Sequence, residues 1–107
     1  MLTMNVLGNL GNDAQITKIN GKDHVSMRIA TSKSFLDEHG TKHEITTWVS
    51  ALMYGDGGNL TQYLKKGTKV YISGDAEIKP YRGSDGETYV SINVFVRDFE
   101  LCGSKRD

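Results

Sequence analysis

The sequence has 107 residues, 37% of them hydrophobic and 24% charged, with thirteen basic residues against thirteen acidic ones. A chain near the roughly 100–150 residues of a typical domain is expected to form one soluble globular unit with a real core. The charge balance excludes a histone-like polycation, so any nucleic-acid binding must rest on positive charge gathered on one face.

Residues 4–10 read as a first strand, bounded by Gly8 and Gly11, and residues 14–19 continue it after a bend. Asn20-Gly21 is a hairpin signal, because both residues tolerate positive φ. In the second strand Val25, Met27 and Ile29 point one way, and Ser26, Arg28 and Ala30 the other. Residues 37–43, rich in charge and glycine, read as a long exposed hairpin loop. Residues 46–54 make a third strand, broken by Gly55-Asp56-Gly57-Gly58. Asn59 then stands where it can cap a short helix with Leu60, Tyr63 and Leu64 on one face. Lys65 and Lys66 suit the negative end of that helix, and Gly67 its left-handed stop. Residues 69–79 and 89–101 are two more strands, joined by a connection over 80–88. Val90, Ile92, Val94 and Val96 share an apolar face, and the broken parity at Asp98 implies a bulge near Arg97.

Five strands with one short helix between the third and the fourth is the element order of an all-β, Greek-key OB barrel. An immunoglobulin-like sandwich would need about seven strands and no helix. Residues 1–103 are expected to form this domain, with 104–107 a short, disordered C-terminal end.

The single cysteine, Cys102, excludes an internal disulfide framework and fits a reducing cytosol. No apolar run approaches the roughly 18–20 residues of a membrane span. Met1-Leu2-Thr3-Met4-Asn5 lacks the basic head and apolar stretch of a secretory signal, so a cytoplasmic location is expected. Catalytic motifs fail: His43-Glu44 opens a zinc-protease pattern, but Thr47 stands where its second histidine belongs. His39 and His43 are four apart in a loop rather than on a helix, which suits solvated histidines better than metal ligands. Leu60 replaces the third glycine of a dinucleotide loop begun by Gly55 and Gly57. No enzyme, cofactor or metal is expected.

The aromatics are the informative residues. Tyr63 and Phe99 fit core positions. Trp48 and Tyr54 lie six apart in one strand and so on one face. Phe35 is bracketed by Lys33 and Asp37, and Tyr81 lies between Lys79 and Arg82 in Pro80-Tyr81-Arg82-Gly83. Spacing leaves Trp48, Tyr54 and Phe35 open between core and surface and favours the surface for Tyr81. Flat rings held at a wet, basic surface suit base stacking, worth roughly 1–3 kcal/mol per base and indifferent to sequence.

The chain resembles the bacterial single-stranded DNA-binding protein family over residues 4–103. The resemblance rests on Gly8-Asn9-Leu10-Gly11 with Asp13, Ala30-Thr31-Ser32 leading to Phe35 and Asp37, and Thr47-Trp48. It continues through Tyr63-Leu64-Lys65-Lys66-Gly67 and Val70-Tyr71-Ile72 with Gly74. It implies Phe35, Trp48, Tyr54 and Tyr81 as base-stacking residues, and Lys66, Lys79 and Lys65 as phosphate contacts. Arg82 joins the phosphate set by its place beside Tyr81, and Arg28 of the second strand is added as a further candidate. Asp56, Ser50 and Glu77 depart from positions that are usually basic in the family, which would flatten the salt dependence. The resemblance further implies sequence-independent binding of single-stranded DNA in replication, recombination and repair, and a homotetramer. The family's acidic-tipped tail does not appear before Ser104-Lys105-Arg106-Asp107, so tail-mediated recruitment of other proteins is not expected of this chain. The alternatives are a primosome-type OB accessory protein that bridges replication proteins, and an OB-fold enzyme or oligosaccharide binder.

Overall fold

The computed structural model describes residues 1–102, apart from the side chain of Asn59; the expected loose end at 104–107 lies outside the described residues. Six strand segments appear in chain order: β1 (Thr3–Leu10), β2 (Gln15–Ile19), β3 (Lys22–Leu36), β4 (Lys42–Tyr54), β5 (Lys69–Arg82) and β6 (Thr88–Leu101). β1 and β2 are the two halves of the bent first strand. The Asn20-Gly21 turn, with φ of 53° and 79°, folds β2 back on β3.

The strands run β1-β5-β6-β4-β3 around a closed barrel, with β2 flanking β3. Closure depends on β1, which pairs with β5 from Thr3 to Asn9 and with β3 through Asn9 and Leu10. A side chain at Gly8 would strike the Ala30 carbonyl of β3, so the backbones can meet only because this residue has none. The other seam is the parallel pairing of β4 with β6, only three residues long, from Ser50↔Asn93 to Leu52↔Phe95. The bulge expected near Arg97 is present: Ser73 faces Asp98 and Gly74 faces Val96, which leaves Arg97 unmatched.

Period-2 burial follows the sequence pattern. Val25, Met27 and Ile29 of β3, Val49 and Ala51 of β4, Val70 and Ile72 of β5, and Val94 of β6 fill the interior with Val6, Leu10 and Leu64. Phe99 packs half-buried against this core, as expected.

The expected helix is instead a single 3-10 turn, Gly58–Tyr63, with Gly57 at its N-cap and no side-chain cap. Two adjacent positive-φ glycines, Gly57 and Gly58, start it. With the tighter repeat of three residues per turn, the i, i+3, i+4 face does not form: Leu64 is buried, whereas Tyr63 is exposed and not in the core. Lys65 and Lys66 therefore lie beyond the turn rather than at a helix terminus. Asp13 organises this region by accepting the backbone N–H of Lys66 at 2.8 Å, and the Gly67 N–H donates to the Leu10 carbonyl.

The loop expected over 37–43 is shorter, because β3 and β4 stay paired out to Leu36↔Lys42. The same holds for 80–88, where β5 and β6 stay paired to Arg82↔Thr88. Both hairpins project beyond the barrel. The radius of gyration, 15.5 Å, accordingly exceeds the roughly 13 Å of a compact chain of about 100 residues.

Gly8→Ala is expected to destabilise the domain by about 1–3 kcal/mol through overpacking at the β1–β3 crossing. Urea denaturation checks this, with the midpoint falling at an unchanged m-value.

Candidate nucleic-acid interface

The outer face of the barrel carries the aromatics. Phe35, Trp48, Tyr54 and Tyr81 retain 44%, 44%, 68% and 53% of their accessible surface. For Trp48 and Tyr54 the cause is strand parity, since Val49 and Ala51 point inward between them. This settles the choice between core and surface that spacing left open.

An open groove of about 420 Å³ gathers four of the expected site residues, Arg28, Trp48, Lys79 and Tyr81, with Ser50, Pro80, Val90, Ser91 and Ile92. It lies where β4 and β6 diverge before their parallel seam begins at Ser50↔Asn93. Trp48 forms one wall. Its six-membered ring packs against Gly11, where a Cβ would collide with it, and the Arg28 guanidinium carbon stands 4.9 Å from the ring centroid. The Gly11 N–H donates to the Arg28 carbonyl at 2.8 Å, which ties these neighbours together. Lys79 supplies a second cation and pairs with Glu77 at 3.7 Å, both side chains well exposed. Such a pair is worth little in water, so an incoming phosphate can displace Glu77. Ser50 adds no charge to the groove.

The remaining residues lie apart from it. Tyr54 is six residues along β4 from Trp48, a distance of ~20 Å in an extended strand. It meets His24 edge-on at 5.3 Å between centroids. Phe35 is on the β3–β4 hairpin, five residues beyond the Ala30 that pairs with Trp48. Arg82 follows Tyr81, and strand alternation turns it to the opposite face. Lys65 and Lys66 lie on the turn after Tyr63, away from the groove lining. Asp56 is structural, its carboxylate accepting the Gly58 N–H at 2.9 Å.

Two more rings belong to this surface: Tyr89, which the sequence did not single out, and His43, which it marked only as a solvated loop histidine. Tyr89 stacks on Tyr81 at 5.7 Å and 28°, and His43 stacks on Phe35 at 5.2 Å and 20°. Assigning 37–43 and 80–88 to loops hid the in-register pairs Phe35↔His43 and Tyr81↔Tyr89. Hydrogen bonds from the His43 imidazole and from the Thr41 and His39 backbones hold the Asp37 carboxyl below the usual 3.8. Tyr89 does the same for Asp85, and Asp85 in turn raises the Tyr89 hydroxyl above its ordinary range. Among the described residues no cluster of His, Cys, Asp or Glu could hold a metal ion, and no helix is long and apolar enough to cross a membrane.

Gly11→Ala should displace the Trp48 ring, shifting the emission of the only tryptophan to the red while the far-UV spectrum holds. A depressed carboxyl stabilises the folded state above its unfolded value, and this contribution fades as pH falls through the folded one. Acidification below 3.8 should therefore release the 37–41 turn, seen as movement of the His39 and Thr41 amide resonances.

Residues 1–102 match the model of the single-strand binding protein family. The chain is 29% identical over 104 residues to a single-stranded DNA-binding protein of Neisseria meningitidis serogroup A, covering 95% of this chain and 60% of that one. It is 30% identical over 103 residues to the single-stranded DNA-binding protein of Xanthomonas campestris pv. campestris, covering 94% and 59%. The chain thus spans about 60% of the length of these curated relatives. Among solved structures, Plasmodium falciparum SSB in complex with ssDNA superposes with a TM-score of 0.74 at 18% identity, over 96% of each chain. A small single-stranded DNA-binding protein from Streptomyces coelicolor does so with 0.72 at 14%, over 94% of each. At these identities the likenesses show the fold, and it is the OB barrel that the strand order describes. With the model matched along the whole described length, the chain belongs to the single-strand binding protein family.

Proposed function

We propose that this chain binds single-stranded DNA without sequence preference, by base stacking and phosphate neutralisation, and so protects exposed strands during replication, recombination and repair. The observation that carries this reading is the convergence of Trp48, Tyr81, Arg28 and Lys79 on one open groove. Duplex DNA hides its base faces inside the stack, so rings that can only stack discriminate against it. Every base has a π-face, so the same rings ignore sequence. Phe35 and Tyr54 extend the stacking path to either side of the groove, Lys65 and Lys66 are further phosphate contacts along the strand, and Arg82 would reach a phosphate only from the far side of the Tyr81 ribbon. Stacking and phosphate contacts do not distinguish a ribose from a deoxyribose, so the preference between RNA and DNA is read by titrating oligo-uridine beside oligo-thymidine.

The reading is of a non-catalytic cytoplasmic binder that works as a homotetramer. The exposed outer side chains Leu7, Ile78 and Phe95 support association between copies.

Titration with oligo-thymidine, followed through Trp48 fluorescence, tests the reading. Quenching by the single strand and not by duplex is expected. Log affinity should fall with log salt at about 0.7 per neutralised phosphate. Trp48→Ala, followed by filter binding, should weaken binding by roughly 1–3 kcal/mol. A wild-type chain that binds duplex as well as single strands, or neither, would overturn the proposal.

A further inference from the structure

The two projecting hairpins share a construction that their sequences do not. In one, the Asp37 N–H donates to the Thr41 carbonyl and the Gly40 N–H to the Asp37 carbonyl, at 3.0 Å each. In the other, the Gly83 N–H donates to the Glu87 carbonyl at 2.8 Å and the Gly86 N–H to the Gly83 carbonyl at 3.0 Å. Gly40 and Gly86 take matching left-handed conformations, with φ of 79° and 83°. Both are five-residue turns of one geometry, built from Asp-Glu-His-Gly-Thr and Gly-Ser-Asp-Gly-Glu.

Two residues before each turn stands an expected stacking ring, Phe35 or Tyr81. Two residues after it stands the in-register ring stacked on it, His43 or Tyr89. A turn carboxylate then holds the second ring. Asp37 accepts the His39 and Thr41 N–H groups with Oδ1, at 2.9 Å each, and the His43 Nε2–H with Oδ2 at 2.8 Å. Asp85 accepts the Glu87 N–H with Oδ1 at 2.9 Å and the Tyr89 hydroxyl with Oδ2 at 2.5 Å. The aspartate sits at the first position of one turn and the third of the other, yet the same device results. Tyr89 is further braced by Gly83, where a Cβ would come within 2.5 Å of its ring.

We infer that His43 and Tyr89 are positioning residues of the proposed strand interface, each covering one face of Phe35 or Tyr81 and pinned by a turn carboxylate. Each hairpin then offers one open ring face, and so one base. The inference rests on the single-strand reading above and adds to it what orients the rings. A ring on a two-stranded ribbon has no core to fix its rotamer, and ordering it on binding costs affinity. A second ring fixed from the turn removes most of that cost beforehand.

A double-mutant cycle in the full chain tests this with oligo-thymidine as the probe. Tyr89→Leu should weaken binding about 3- to 10-fold, the range for ordering one side chain on binding. It should leave the salt slope unchanged and have no further effect in a Tyr81→Leu background. Tyr89→Phe, which keeps the stack and loses the Asp85 bond, should fall between wild type and Tyr89→Leu. Losses from Tyr81→Leu and Tyr89→Leu that simply add would make Tyr89 an independent contact and overturn the inference while single-strand binding stands. An affinity indifferent to Tyr89→Leu in a folded protein would overturn it as well. A wild-type chain that ignores the oligonucleotide removes the single-strand reading, and this inference with it.

Discussion

The molecule depends on one close approach, where the backbone of β1 passes β3 at Gly8 and Ala30. A strand has two hydrogen-bonding edges, and β1 uses one on β5 and the other, at its far end, on β3. Without that crossing the six segments would form an open sheet with exposed edges, and Leu10 and Ile29 would have no common interior. With it, a small set of aliphatic side chains fills a closed volume, Phe99 packs at its margin, and Phe35, Trp48, Tyr54 and Tyr81 are turned outward.

The outward face follows from that economy. β4 must supply Val49 and Ala51 to the core, so Trp48 and Tyr54 face solvent. The parallel seam with β6 is short, so the strands part just where Trp48 stands and the groove opens between them. Charge is sparse there: Arg28 lies over Trp48, and Lys79 is shared with Glu77. A chain with no net charge thus gathers cations locally, beside rings.

Much of this was legible in the residues. Alternation in 25–30 and 46–54 separated the two sides of each strand correctly but left open which side of 46–54 faces inward, and the lost parity at Asp98 located the bulge. Alternation reports burial directly, which is why it reads well. The 3-10 turn read poorly, because Leu60, Tyr63 and Leu64 match an α-helical face for barely one turn while Gly57 and Gly58 impose another geometry. The hairpin rings were missed for a different reason. Charge and glycine in 37–43 and 80–88 signal turns, but not how far strand pairing persists into them, and that register alone brings His43 to Phe35 and Tyr89 to Tyr81. The convergence of Arg28, Trp48, Lys79 and Tyr81 needed three strands from distant parts of the chain and no local pattern could display it.

The length of the two hairpins has a mechanical meaning. Trp48 is braced by the closed wall of the barrel, whereas Phe35 and Tyr81 ride on two-stranded ribbons, a form that is marginal on its own in water. The stiffness of the surface therefore falls from its centre outward, with one firm anchor flanked by two compliant arms. A surface graded in this way keeps one fixed reference point while its two outer rings can adjust their separation from it.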